Sequence, residues 1–481
     1  MADKNYSPQF SSRPPVVAFL GHIDHGKTSL LDKIRQTNIS QKEIGGITQK
    51  IGAYQIEYQG EKITFIDTPG HEVFANMRSR GAQVTDLAVL VIAANEGVMP
   101  QTEESLRHIQ EANVPFLIAL NKMDLAGADP EKVKNQLTAL GVLVEERGGE
   151  VVMVPVSAKT GAGIEDLLEM ILLLTKMNDL KAPVNAPFSG VVIESGVNPQ
   201  RGVEVSLLVQ EGELKKDDEV WAGNQKAKVK AIFDDRGCSI VKAQVSQPVL
   251  VLGFSAVVPV GEKVLSNKKV AELEEKLSLQ KDRLVVEETE GKLAVIFKAD
   301  TLGVLEAILN LPIVSKLAIL DSGVGEINES DVLLASSFGG QIFGFNVSCG
   351  KGVEEIAEAE GVKIQRFNLI YELSEALEEE IKRFSSQKEE ANILGEVSIL
   401  AKFNVEGEMV AGGKVLRGEI VKGGEVELWR GKEKVGEAKI ISLREGKKDI
   451  EKAKAKEEFG AVFSSRLDFA VGDVIRYKKN I

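Results

Sequence analysis

The chain has 481 residues, too many for a single core, so about three to four domains are expected. A hydrophobic content of 43% and a charged content of 27% exclude wholesale disorder, collagen and a disulfide scaffold, and Cys238 and Cys349 are expected to stay reduced. The net charge of −13 excludes a global basic footprint for nucleic acid.

Residues 1–15 are polar with a Pro pair and read as a disordered tail without a signal peptide's apolar region. Over 16–182, the near-continuous apolar runs VVAFL, ITFID, LAVLVIAA, FLIALN and VVMVPVS alternate with the helical patterns TSLLDKIR, TEESLRHIQEA and IEDLLEMILLL. That alternation predicts a parallel sheet covered on both faces. KAPVNAPFSG reads as a linker. Residues 183–268 change to short alternating runs with turn residues between them, which predicts a small antiparallel β-barrel. A connecting helix is expected over 269–290, and residues 291–368 return to strand-helix alternation, a second and smaller α/β domain. Over 369–390, Ile370, Leu373, Leu377, Ile381 and Phe384 recur at spacings of three and four and make one apolar stripe of a long helix. This helix is read as a rigid spacer or as an element docked by its stripe.

Residues 391–481 read as a terminal β-barrel. They carry 18 Lys and Arg against 15 Asp and Glu, which makes this end the better candidate face for RNA. A faint repeat relates Val209–Val220 to Val415–Val426, and Gly261 to Gly472, as two barrels of one design would. The fold class is thus multidomain α/β plus β.

Gly21-His22-Ile23-Asp24-His25-Gly26-Lys27-Thr28, followed by Ser29, matches G-x-x-x-x-G-K-[ST] between an apolar strand and a helical pattern. In such a loop, successive backbone N–H groups and a helix N-terminus cradle phosphate. Lys27 would reach the terminal phosphates and the Thr28 hydroxyl would meet Mg²⁺. Asp67-Thr68-Pro69-Gly70 ends the strand ITFID, where Asp67 can hold Mg²⁺ and Gly70 lets the backbone meet the γ-phosphate. Asn121-Lys122-Met123-Asp124 closes FLIAL. A carboxylate there can accept both N1–H and N2–H₂ of guanine, which adenine does not offer. Ser157-Ala158-Lys159 ends VVMVPV and would pack against the same base. Four motifs at strand C-terminal ends predict GTP and GDP binding. His71, beside the γ-phosphate loop, is a candidate for placing water.

The runs GHIDHGKTSLLDKIR, GGITQKIGAYQI, FIDTPGHEVFANMRSRGA, LNKMD and SAKTG resemble the guanine-nucleotide domain of bacterial translation initiation factor 2. SGVGEINESDVLLASSFGGQIFGFNV resembles its third domain, and the likeness spans roughly residues 14–481. The long charged N-terminal extension of many members is expected to be absent. The resemblance implies a cytoplasmic, monomeric GTPase, stimulated by the ribosome, that binds formylmethionyl initiator tRNA and joins the small and large ribosomal subunits. It implies no membrane and no DNA partner. Thr48 would be the second Mg²⁺ ligand. Gly70 and His71 would belong to the second switch, with His71 ordered by ribosomal RNA to position water, and Ile23 would form part of an apolar gate. Asp24 would help bind a monovalent cation.

In the terminal barrel, Arg444, Lys447, Glu458 and Gly460 match the family's initiator-tRNA pocket. The chain departs from the family pattern at Gly413, Glu445 and Phe459, which implies altered tRNA affinity or formyl dependence. A tRNA-carrying elongation factor and a nucleotide-gated ribosome-binding scaffold stay open as alternatives.

Overall fold

Apolar runs of six or seven residues, buried on both faces, set the first sheet. The computed structural model describes residues 10–36, 52–69, 84–266 and 291–478, apart from 406–407, 432, 447 and 465–467. Its strands are β1 (Val16–Gly21), β2 (Gly52–Tyr58), β3 (Glu61–Asp67), β4 (Leu87–Ala93), β5 (Phe116–Asn121) and β6 (Met153–Pro155), in the order β2-β3-β1-β4-β5-β6. All pairs are parallel except β2 with β3, a hairpin turned through Gln59–Gly60. Helices α1 (Lys27–Arg35), α2 (Pro100–Glu111), α3 (Pro130–Ala139) and α4 (Ile164–Met177) cover it. In α4, Ile164, Leu167, Leu168, Ile171 and Leu172 fall on one stripe, and all are buried. They pack with Leu30, Ile34, Phe19 and Phe65 in the core on one sheet face. Leu106, Ile109, Val133 and Leu137 of α2 and α3 pack in the core on the other.

Residues 10–15 are not a disordered tail. Phe10–Ser12 pairs antiparallel with Lys181–Pro183, and the Arg13 guanidinium donates to both Asp86 oxygens at 2.6 and 2.7 Å. A backbone ladder and a bidentate ion pair supply the partners that composition does not reveal.

The next sheet has eight antiparallel strands, beginning with Gln225–Lys228 and Glu219–Ala222 and ending with Ala231–Phe233 and Ser239–Ile240. Only Val229–Lys230 separates Gln225–Lys228 from Ala231–Phe233, which lie near opposite ends of that order, so the sheet closes around one core as a barrel. Four parallel strands follow, in the order Leu317–Val324, Leu293–Ala299, Gln341–Phe345, Ile364–Phe367. Helices Leu302–Leu309, Glu329–Ser337 and Lys351–Glu360 connect them. The helix expected over 269–290 lies outside the described residues.

The long helix runs Ile370–Ala391. Ile370 and Leu373 at the start of its stripe are buried, so the helix is docked there rather than free-standing. The terminal strands Ile393–Val405, Glu408–Val421, Glu458–Phe463, Glu433–Glu445, Glu425–Arg430 and Val474–Lys478 pair in that cyclic order, and the last returns to the first. Residues 1–376 and 377–481 form two compact units. The two barrels share turn chemistry. Gly212 and Gly418, Asp217 and Gly423, and Gly261 and Gly472 all adopt positive φ at matching repeat positions. This supports one barrel design used twice.

Candidate functional site: a phosphate loop and a base-recognition loop at the strand ends

Strand register builds the site. Phe19 pairs with Asp67 and Gly21 with Val91, so the ends of β1 and β3 lie side by side. The loop His22–Gly26 leaves β1 there and enters α1. Thr28 in the first turn of α1 then donates from Oγ1 to Asp67 Oδ2 at 3.2 Å. The Thr68 hydroxyl donates to the Phe19 carbonyl at 2.9 Å and holds the end of β3 to β1.

Within the loop, Asp24 and Gly26 adopt positive φ, and Gly26 directly precedes α1. A methyl group on Gly26 would sit 2.5 Å from Asn121 Nδ2. Lys27 is buried, and its ammonium donates to the Gly21 and His22 carbonyls at 2.9 and 2.7 Å. The Ile23 N–H donates to Gln101 Oε1 at 3.0 Å. Ser29 is exposed on the first turn of α1.

His25 is fully buried, and burial lowers its pKa to about 4. The ring is therefore neutral near pH 7, with Nδ1–H donating to the Val91 carbonyl at 3.3 Å. Its Nε2 lies 3.7 Å from Glu96, whose carboxyl is held low chiefly by the hydrogen bond from Lys122 at 2.8 Å. His22 also shifts down, by burial first and by the Lys27 charge second. Positive charge in the loop thus resides on Lys27, not on the imidazoles.

Asn121 connects this loop to the second half of the site. Its Nδ2 donates to the His25 carbonyl at 2.9 Å, and its Oδ1 accepts from the Ala158 N–H at 3.0 Å. Ser157 Oγ donates to Asp124 Oδ1 at 2.7 Å and accepts from the Thr160 N–H at 3.1 Å. One carboxylate edge is thereby fixed at the ends of β5 and β6, where Asp124 and Lys159 are exposed. Pro69 follows Thr68 at the edge of the described chain.

The structure therefore brings together Gly21–Ser29, Asp67–Pro69, Asn121, Lys122, Asp124 and Ser157–Lys159. Thr48, Gly70, His71 and Lys447 lie outside the described residues. Sequence reasoning missed Gln101, which accepts the Ile23 N–H from α2, and Glu96, which holds Lys122 from the turn after β4 and lies 3.7 Å from His25 Nε2. No motif marks them, since each contact is made possible only by the fold. The oxygen donors of Thr28 and Asp67 fit Mg²⁺, a hard cation that takes oxygen ligands. Lys27 and the backbone of the loop fit phosphate oxygens.

Of the terminal-barrel candidates, Arg444, Glu458 and Gly460 line one cleft of about 480 Å³ with Leu400 and Phe403. Arg444 pairs with Gly460 across the strands, and its Nε donates to Asp449 at 2.6 Å. Lys414 lies 3.5 Å from Glu458. The Phe459 side chain turns into the barrel core beneath Gly413.

The family model for the elongation factor Tu GTP binding domain matches residues 13–177, that for elongation factor G domain 2 matches 187–267, and that for translation-initiation factor 2 matches 266–378. Similar curated proteins include the "Translation initiation factor IF-2" of Dehalococcoides mccartyi, 42% identical over 97% of this chain and 82% of that protein. That of Caldanaerobacter subterraneus subsp. tengcongensis is 43% identical over 96% of this chain and 69% of its own length. A similar solved structure, "Crystal structure of GDP-bound aIF5B from Aeropyrum pernix", is 29% identical, covers 97% of this chain and 92% of that one, and has a TM-score of 0.47. Identity above 40% runs along nearly the whole length, and the chain belongs to the translation initiation factor 2 family of GTP-binding translational GTPases.

Proposed function

We propose that this chain is a ribosome-stimulated GTPase of translation initiation that binds formylmethionyl initiator tRNA through its terminal barrel and promotes joining of the ribosomal subunits in the cytoplasm. The convergence of the loop Gly21–Thr28, Asp67, Asn121–Asp124 and Ser157–Lys159 at the ends of one parallel sheet carries the GTP part of this proposal.

The β- and γ-phosphates lie in the loop, whose N–H groups and the N-terminus of α1 supply donors. Lys27 moves its ammonium from the loop carbonyls to phosphate oxygens. Thr28, Asp67 and Thr48 would hold Mg²⁺, which would supply Lewis-acid withdrawal of charge from the phosphates. Asp124, oriented by Ser157, accepts the two donors of guanine, while Lys122 and Ala158–Lys159 flank the base. Gly70 offers its N–H to the γ-phosphate. His71 positions the attacking water once ribosomal RNA orders it, and Ile23 keeps it away beforehand. Asp24 would hold a monovalent cation, which would supply positive charge near the phosphates. Little covalent work falls to the protein, since phosphoryl transfer gains mainly from positioning and electrostatics.

The terminal cleft supports tRNA binding by its mixed lining. Leu400 and Phe403 are half-exposed apolar groups suited to a methionyl chain, and Arg444 supplies positive charge at the rim. Lys447 would add a second cation. The test is binding of formylated and unformylated initiator tRNA to wild type and to Leu400→Asp. A charge placed in the cleft is expected to weaken formylmethionyl-tRNA binding by about tenfold or more and to leave GTP turnover unchanged. Unchanged tRNA affinity would contradict this placement.

A further inference from the structure

In an open parallel sheet, ligands bind outside the carboxyl ends of the strands where the strand order reverses. In the small α/β sheet that point lies beyond Leu293–Ala299 and Gln341–Phe345, next to the N-terminus of helix Leu302–Leu309. A cleft of about 450 Å³ sits there, but its opposite wall is the first barrel. Glu194, Glu204, Asp300 and Glu326 all line it, so it repels an anionic ligand.

Glu194 itself sits where an anion would. It is 7% exposed, and Oε1 accepts from the Gly303 N–H at 3.1 Å and from the Ser195 N–H at 3.1 Å. Gly303 is in the first turn of the helix, where N–H groups lack helical partners. Thr301, in the N-cap position, makes no capping hydrogen bond with its side chain, so the cap comes from another domain. The backbones join as well. Gly196 and Thr301 form an antiparallel bridge, and the Val197 N–H donates to the Asp300 carbonyl at 3.2 Å. A Cβ at Gly196 would lie 2.6 Å from the Asp300 carbonyl oxygen and 3.0 Å from Thr301 Cγ2, so the approach requires glycine.

We propose that the switch-point crevice of the α/β domain is the receptor for the first barrel, with the Glu194 carboxylate seated at the helix N-terminus in place of an anionic ligand, and that the two domains consequently turn as one body. Any displacement of the barrel then carries the α/β domain with it.

Hydrogen exchange on the full chain with GDP and Mg²⁺ tests the joint. Glu194→Ala is expected to speed exchange of amides in residues 301–304 about tenfold, because a charge-assisted hydrogen bond is lost. Glu194→Gln keeps an acceptor and should retain most of the protection. GDP affinity should be unchanged in both. Gly196→Ala attacks the same joint from the backbone and should also expose 301–304, which covers a Glu194→Ala chain that fails to fold. A spin label on the exposed Cys238 and another at Leu333→Cys, with Cys349→Ser, report the distance between the two domains. Wild type should give one narrow distribution and Glu194→Ala a broad one. Wild-type exchange in Glu194→Ala and Gly196→Ala, or equal widths for the two distance distributions, would overturn the proposal.

Discussion

Replacing Gly26 with Ala tests how the phosphate loop and the base-recognition loop are joined. Gly26 has φ 83, where an L side chain costs about 1–2 kcal/mol. Among the described residues, the new methyl would meet only Asn121 within 4 Å, at 2.5 Å from Nδ2 and 3.8 Å from Cγ. Asn121 is 1% exposed and holds the His25 carbonyl and the Ala158 N–H, so it can yield only by giving up its bond to His25. Stranding a buried acceptor costs about 1–3 kcal/mol. The total, roughly 2–5 kcal/mol, corresponds to about 30-fold to several thousand-fold weaker GDP binding if the bound loop keeps this conformation. In an Asn121→Ala background the collision is gone, and Gly26→Ala should cost only the backbone term. A double-mutant cycle on GDP dissociation constants, read with a fluorescent GDP, should therefore show a coupling of about 1–3 kcal/mol. Additive penalties, within about 0.5 kcal/mol, would refute the contact between Gly26 and Asn121 as the link between the two loops.

Two further outcomes follow from the same geometry. Asp67→Asn preserves the shape beside Thr28 but removes the charge, so the Mg²⁺ concentration needed to retain GDP should rise about 10–100-fold. An unchanged Mg²⁺ requirement would remove Asp67 from the metal site. His25 has a folded pKa of about 4, below its unfolded value, so the fold favours the neutral ring. Stability from this group is complete above about pH 6.5 and is lost as pH falls toward 4, by roughly 3 kcal/mol. His25→Asn keeps a donor for the Val91 carbonyl and should flatten that part of the pH profile in denaturant melts. Parallel profiles would contradict the buried neutral ring.

Much of this site was legible because its chemistry is carried by contiguous residues. The loop Gly21–Thr28 and the run ending at Asp124 each follow a fully apolar strand, and burial on both sheet faces leaves such strands no polar positions. Other parts depend on partners distant in sequence. Strand β2, GAYQIEY, is half-buried and mixes polar and apolar residues, so it reads weakly until β3 pairs with it. Helix α3 carries a local start signal, with Asp129 capping it through the Lys132 N–H and Pro130 opening it, but its apolar stripe of Val133 and Leu137 is short. The ordered stretch 10–13 depends on Asp86 and on Lys181–Pro183, which no local pattern announces. Phe459 is buried in the barrel core by strand alternation and also lines the terminal cleft from beneath, while Glu458 is exposed and Gly460 half-buried beside it.

GTP turnover by the purified chain, with and without 70S ribosomes, in wild type and His71→Ala, tests the central claim most directly. Strong stimulation of wild type that is lost in His71→Ala, with GDP affinity preserved, is the expected result. Wild-type protein that binds GTP but shows no stimulation by ribosomes would contradict a ribosome-stimulated GTPase of initiation and leave only the nucleotide site standing.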